Sequence, residues 1–287
     1  MSKQTIRVAA IHDLSGFGRC SLSVILPTLS AMGIQACAIP TAVLSTHTGG
    51  LGDPVLCDLT DYIQPTLQHY QSLKLDFNCI YSGFLGSIDQ IDHCLEFFSA
   101  YRGALKVVDP VMGDHGKTYR TYTPQLVARM QELVKVADVI TPNLTEAAIL
   151  LKEEYPNAPM TVSRLKSWLV RQSELGPEYV LITGVAMADG HLSNVGYDRN
   201  RGAFWRVNCD YVPVDYPGTG DIYASVVVGS LLNGDSLPIA MERATRFLEL
   251  AIKTTYSYGT DSRYGVMLER SLPWLMEHHY LKGYEKL

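Results

Sequence analysis

Residues 217–225 read PGTGDIYAS: Gly218, Thr219 and Gly220 stand immediately before Asp221, and an apolar helical pattern follows. The first four N–H groups of a helix have no internal partner, and the helix dipole adds positive potential at that end. An anion can therefore settle on the amides of residues 218–220, and the glycines let it approach closely. Asp221 alone is equally well an acidic first-turn residue favoured by the dipole. At this glycine and aspartate content a GxGD pattern arises by chance in about one chain in ten, so the stretch needs support from the rest of the sequence.

Upstream of it, short β-branched runs alternate with amphipathic segments of helical length. Residues 5–11, 35–39, 78–81, 105–108, 136–140 and 179–182 read as strands, and 21–32, 57–73, 88–101, 123–135 and 161–172 as helices. That rhythm predicts an α/β fold with a mostly parallel sheet covered on both faces. Residues 191–197 and 203–208, separated by DRNRG, predict an antiparallel edge hairpin. The last third reads as helical, its first helix starting at Thr219 and stopping near Gly234. No repeat, low-complexity segment or linker marks a boundary, so residues 1–287 read as one domain.

The 24 Lys plus Arg against 29 Asp plus Glu, a net charge of −5, leave no basic footprint for nucleic acid or an anionic membrane. The start lacks the apolar run of a secretory leader and no stretch is long enough to span a bilayer, which predicts a soluble, cytoplasmic protein with a small-molecule partner. The six cysteines are scattered without C-x-x-C or zinc spacing and read as buried free thiols.

Ligands of open parallel sheets bind beyond the carboxyl ends of the strands, and polar clusters follow every strand of this reading. HDLSGFG, STHTGG, SGFLGS, DPVMGDHGKTY, TPNLTE and TG come in that order. GFGRCS fails as a dinucleotide fingerprint because Ser21 replaces the third glycine, and VMGDHGKT fails as a P-loop because Val111 stands at the first glycine. Residues 113–119 fit a glycine-flanked flap over a ligand better. In TPNLTEAA, Asn143 and Glu146 have the spacing of a capping box, and the same two oxygen-bearing side chains suit hydrated Mg²⁺; both readings stand. With carboxylates at Asp109, Asp114 and Glu146, hydroxyls at Thr141 and Thr183, a flap and an amide nest, phosphoryl transfer accounts for the set. Asp221 would take a proton from a substrate hydroxyl while the amides of residues 218–220 stabilise the transferring group.

At this point the sequence resembles the ribokinase superfamily, in which a helix-start GxGD carries the anion hole and base. PTAVLSTHTGG, SGFLGS, DPVMGD and TPNLTEA are similar to its vitamin-kinase branch, the pyridoxal kinases in particular. The resemblance spans essentially the whole chain and implies a three-layer αβα sandwich, ATP and Mg²⁺ as cofactors, a monovalent cation such as K⁺, and a homodimer. It implies that Asp221, Gly218, Thr219 and Gly220 are catalytic and that Asp13, Ser15, His47, Thr48, Gly49 and Phe84 bind the acceptor, Thr48 and Gly49 at a vitamin B6 ring. Asp109, Asp114, Tyr119, Thr141, Asn143, Glu146, Thr183 and Gly184 would bind the nucleotide, with Asp114 and Glu146 organising Mg²⁺ and RVNCDYVPV forming an apolar adenine wall. Many pyridoxal kinases carry Ser where this chain offers Asp13, and DLSGFG is also similar to the loop of hydroxymethylpyrimidine kinases. Three expectations follow: a B6 kinase, a hydroxymethylpyrimidine or hydroxymethylpyrimidine-phosphate kinase, and a non-catalytic binding protein on the same scaffold. The last is disfavoured because binding alone needs no base.

Overall fold

The computed structural model describes residues 5–119 and 122–287; residues 1–4, part of the start read for a leader, lie outside it. The first half runs β1 (Arg7–Phe17), α1 (Leu22–Ala31), β2 (Gln35–Thr46), β3 (Leu56–Asp58), α2 (Thr60–Ser72), β4 (Cys79–Ser82), α3 (Ile88–Ala100), β5 (Leu105–Val108), β6 (Gly113–Asp114) and β7 (Lys117–Thr118). The second runs α4 (Pro124–Val136), β8 (Val139–Ile140), α5 (Leu144–Leu151), α6 (Val162–Glu174), β9 (Tyr179–Ala186), β10 (Leu192–Asp198), β11 (Ala203–Cys209), α7 (Thr219–Leu232), α8 (Leu237–Tyr258), α9 (Leu268–Ser271) and β12 (Tyr284–Lys286).

Along β1 both sets of alternating side chains are buried: Ala9 and Ile11 join the core under α2 to α6, while Val8 and Ala10 join the core under α1, α7 and α8. A strand buried on both faces needs no polar alternation, which is why these runs read as continuous apolar segments. The result is the expected three-layer αβα sandwich around a ten-stranded sheet of order β12-β11-β10-β9-β8-β5-β4-β1-β2-β3. Strands β2, β1, β4, β5, β8 and β9 are parallel neighbours, and β10 and β11 form the predicted antiparallel hairpin at one edge. The chain leaves β1 for β2 on one side and crosses to β4 on the other, so a crevice opens between the carboxyl ends of β1 and β4.

Several limits differ from the sequence reading. β1 and β2 do not stop at residues 11 and 39; after a register shift between His12 and Leu14 they stay paired through Phe17 and Thr46. Asp13 and Ser15 are therefore strand residues, and the Ser, Gly and Pro that suggested loops sit on a ribbon projecting from the sheet. The helix read over 57–73 begins at Thr60, because Leu56 to Asp58 pair with β2 as an edge strand. The strand read from 136 begins at Val139, residue 136 being the last of α4, and β9 continues past 182 to Ala186. In the last third, helical as read, β12 adds an unexpected strand on β11. All six cysteines are free, but only Cys20, Cys79 and Cys94 are buried; Cys57 is exposed on β3. No helix among the described residues is long and apolar enough to cross a membrane.

Candidate active site

Gly218 is the N-cap of α7 with φ 80, and a Cβ there would sit 2.0 Å from the carbonyl oxygen of Arg19 and 2.8 Å from Cα of Cys20. Only glycine lets the chain after β1 lie this close to the start of α7. The contact brings the Ser21 N–H to Asp221, whose Oδ2 accepts it at 2.8 Å. Around Gly220 a Cβ would meet nothing within 4 Å, so open space lies beside the first amides of the helix. The Thr219 hydroxyl donates to the Tyr216 carbonyl at 3.1 Å, which leaves its N–H as its contribution to an anion.

Four carboxylates act on one another in sequence from this helix start, Asp13 on Asp221, Asp221 on Asp109 and Asp109 on Glu146. Burial pushes Asp221 up to about 7, the Ser21 N–H opposing the shift and the charge of Asp13 adding to it. Asp109, 6% exposed at the end of β5, is pushed up to about 8 by burial and the Asp221 charge, with Thr141 beside it pulling the other way. Burial and the Asp109 charge hold Glu146 well above the usual carboxylate range. Burial raises Asp13 as well, against hydroxyl contacts from Ser21 and Ser15, the latter donating to Oδ2 at 3.4 Å. Among the described residues no Lys, Arg or His pairs with any of the four. Acids so arranged, three buried and Asp221 half-buried, either keep protons or wait for a cation, which fits Mg²⁺ as a guest of this site. No three His, Cys, Asp or Glu side chains among the described residues cluster closely enough to hold a metal unaided, so phosphate oxygens and water would complete its shell.

Asn143 and Glu146 form the predicted capping box. Asn143 Oδ1 accepts the Glu146 N–H at 3.0 Å and Glu146 Oε2 accepts the Asn143 N–H at 2.8 Å. Glu146 Oε1 also accepts the Met112 N–H at 3.1 Å, so each of its oxygens carries a backbone bond besides any metal contact. Asp114 is exposed on β6, near enough for its charge to raise Glu146 further. The expected flap is a tight hairpin of β6 and β7, with Asn143 Nδ2 donating to the Gly113 carbonyl at 2.8 Å and the Tyr119 N–H to the Met112 carbonyl at 2.9 Å. Residues 120–121, which follow Tyr119, lie outside the described structure.

Of the residues expected at the nucleotide, Thr141 is 4% exposed at the end of β8, the Thr183 N–H donates to the Pro142 carbonyl at 3.0 Å, and the Gly184 N–H donates to Asn194 Oδ1 at 3.0 Å. The segment expected to be an adenine wall is only partly a strand: β11 ends at Cys209, Val207 faces the core, and Val212 and Val214 are the half-buried apolar residues left beyond it.

Of the residues expected at the acceptor, Thr48 and Gly49 are exposed and Phe84 is half-buried, edge-on to Tyr122 at 6.0 Å. His47, expected at the acceptor, is buried and makes two intramolecular contacts. Its Nδ1 accepts the Gly49 N–H at 2.9 Å and its Nε2 lies 2.6 Å from the Arg263 carbonyl, a pattern that requires Nε2–H. Both nitrogens are engaged, so the ring shapes the Thr48 loop. The contacts of the Arg263 carbonyl with His47 and of the Tyr264 carbonyl with the Arg19 N–H were not legible, because nothing in DSRYG announces contact with residues more than two hundred positions earlier. His12 was also missed: it is buried, edge-on to Tyr81 at 4.4 Å, and fills the space a Cβ on Gly83 would need. Burial lowers its pKa to about 3, so it stays neutral beside Asp13.

The phosphomethylpyrimidine kinase sequence profile matches residues 26–266. The chain belongs to that family. It is therefore an ATP-dependent kinase acting on an alcohol group, a vitamin kinase of the ribokinase superfamily, as the resemblance implied. A Bacteroides thetaiotaomicron protein whose provisional name is phosphomethylpyrimidine kinase, crystallised with pyridoxal, is 42% identical over 99% of this chain and 100% of its own, with TM-score 0.94. Pyridoxal kinase from Lactobacillus plantarum is 33% identical over 95% of this chain and 97% of its own, with TM-score 0.87. The Arabidopsis thaliana thiamine biosynthetic bifunctional enzyme TH1 is 27% identical over 251 residues, which are 87% of this chain but 46% of that enzyme.

Proposed function

We propose that this kinase phosphorylates the 5′-hydroxymethyl group of vitamin B6: pyridoxal, pyridoxine or pyridoxamine. The observation that carries the reaction is the carboxylate of Asp221 in the first turn of α7, next in sequence to Gly220 and the open space beside it. Asp221 accepts the proton of the hydroxyl as its oxygen attacks the γ-phosphorus; the bond from that phosphorus to the bridging oxygen breaks and ADP leaves. The amides of residues 218–220 stabilise the charge on the group in transit. Bound Mg²⁺ would neutralise the phosphates, with Asp114 and Glu146 ordering its water shell. The identity of the acceptor is supported by the pyridoxal in the Bacteroides relative and the pyridoxal kinase name of the Lactobacillus one.

A second reading, hydroxymethylpyrimidine as acceptor, is favoured by the family profile and by Asp13, a buried carboxylate suited to an exocyclic amine. ADP formation with Mg·ATP and a panel of pyridoxal, pyridoxine, pyridoxamine and hydroxymethylpyrimidine separates the two. Higher kcat/KM for a B6 vitamer is expected. Preference for the pyrimidine overturns the assignment.

A further inference from the structure

We propose that Thr145 positions the flap, acting as a fixed hydrogen-bond acceptor for the backbone at its tip. The inference rests on the kinase reading, in which residues 113–119 cover ATP.

The tip is His115 and Gly116, with φ 50 and 76, between Asp114 and Lys117, which pair across the hairpin. Two residues at positive φ make a tight primed turn, whose central amides lie outside the strand ladder and normally go to water. The Gly116 N–H instead donates to Thr145 Oγ1 at 2.9 Å, across 29 positions of sequence. Thr145 is 4% exposed in the first turn of α5, and its hydroxyl takes no part in the capping box. On another side of Gly116, the Tyr155 ring lies so near that a Cβ would come within 3.1 Å of it. The tip therefore rests between a hydroxyl and an aromatic ring, neither of which belongs to the flap.

Three side chains of one helical turn hold the flap: Glu146 takes the Met112 N–H, Asn143 gives to the Gly113 carbonyl, and Thr145 takes the Gly116 N–H. The first two also cap α5, so their loss would mix helix stability with flap position. Thr145 acts on the tip alone. By fixing the turn it sets the height at which Lys117, Thr118 and Tyr119 stand over the nucleotide, before any nucleotide arrives.

The test compares wild type, Thr145→Val and Thr145→Ser by steady-state kinetics and by hydrogen exchange at the Gly116 amide. Thr145→Val, matched in shape but without the acceptor, should raise the KM for ATP about two- to tenfold, the range of one lost hydrogen bond, and leave the KM of the vitamer unchanged. It should also speed Gly116 exchange, and Thr145→Ser should restore both properties. A melting-temperature change with KM for ATP and Gly116 exchange unmoved would overturn the proposal. So would rapid Gly116 exchange in nucleotide-free wild type, a measurement that stands even if Thr145→Val does not fold. If wild type turns over no B6 vitamer, the acceptor assignment fails, while the exchange data still judge Thr145.

Discussion

Replacing Gly218 and Gly220 by alanine, one at a time, should give opposite signatures from positions two residues apart. At Gly218 the added Cβ lies 2.0 Å from a backbone oxygen, at φ 80, so neither neighbour can yield without moving the main chain. Left-handed backbone costs an L-residue about 1–2 kcal/mol. Overpacking against backbone adds about 1–3 kcal/mol. Gly218→Ala should therefore lose about 2–5 kcal/mol of stability in urea unfolding, and its activity should fall as the Ser21 to Asp221 contact is pulled apart. At Gly220 the Cβ meets nothing within 4 Å and the backbone is helical. Stability should hold or rise by up to about 1 kcal/mol, because alanine has less chain entropy to lose than glycine. The same methyl, however, occupies the space where an anion would meet the amides. Loss of such a hole costs about 10²–10³ in kcat, which is the drop expected for Gly220→Ala. Wild-type turnover in a stable Gly220→Ala protein would refute the anion cradle. Full stability of Gly218→Ala would refute the packing argument.

The pH dependence follows from the raised acids. With Asp221 required as a base near pKa 7, kcat/KM should rise with pH up to about 7 and lose about tenfold per unit below it, as measured in a pH–rate profile. Folded-state values above the unfolded ones mean that the stability contribution of Asp109 and Asp221 is complete below about pH 4 and is lost as pH rises through about 7 to 8. Asp109→Asn should accordingly stabilise the fold more at pH 9 than at pH 5 in thermal or urea unfolding. Glu146→Gln turns an amide NH₂ towards the Met112 or Asn143 N–H, so stability should fall by about 1–3 kcal/mol, and the Mg²⁺ needed for half-maximal rate should rise. Asp13→Ser should change relative kcat/KM among the three vitamers and hydroxymethylpyrimidine by about tenfold, whereas a uniform change would mean that Asp13 only shapes β1.

The parts of this molecule legible in its sequence are those whose cause is local. Gly218, Thr219, Gly220 and Asp221 announce the start of α7 because amide exposure and dipole act within one turn, and Asn143 with Glu146 announces α5 because a capping box spans three residues. The central strands were legible from apolar runs that need no partner to be recognised. What could not be read depends on distant pairing. Asp13 and Ser15 belong to a strand only because β2 continues alongside them, and Leu56 to Asp58 leave the helical pattern only because β2 offers an edge. The contact of His47 Nε2 with the Arg263 carbonyl was equally hidden, since the two are 216 positions apart. The carboxylates of Asp13, Asp109, Glu146 and Asp221 could be named one by one, but their mutual repulsion appears only once the middle of β1, the end of β5 and the starts of α5 and α7 stand together.

The central claim, that Asp221 activates the 5′-hydroxymethyl group of a B6 vitamer for attack on ATP, is tested most directly by single-turnover transfer from γ-labelled ATP to pyridoxal, comparing wild type with Asp221→Asn. Wild type should place the label on pyridoxal 5′-phosphate, and the variant should bind ATP comparably while transferring it about 10²- to 10⁴-fold more slowly. Transfer at the wild-type rate by the variant, or no labelled pyridoxal 5′-phosphate from wild type, would contradict it.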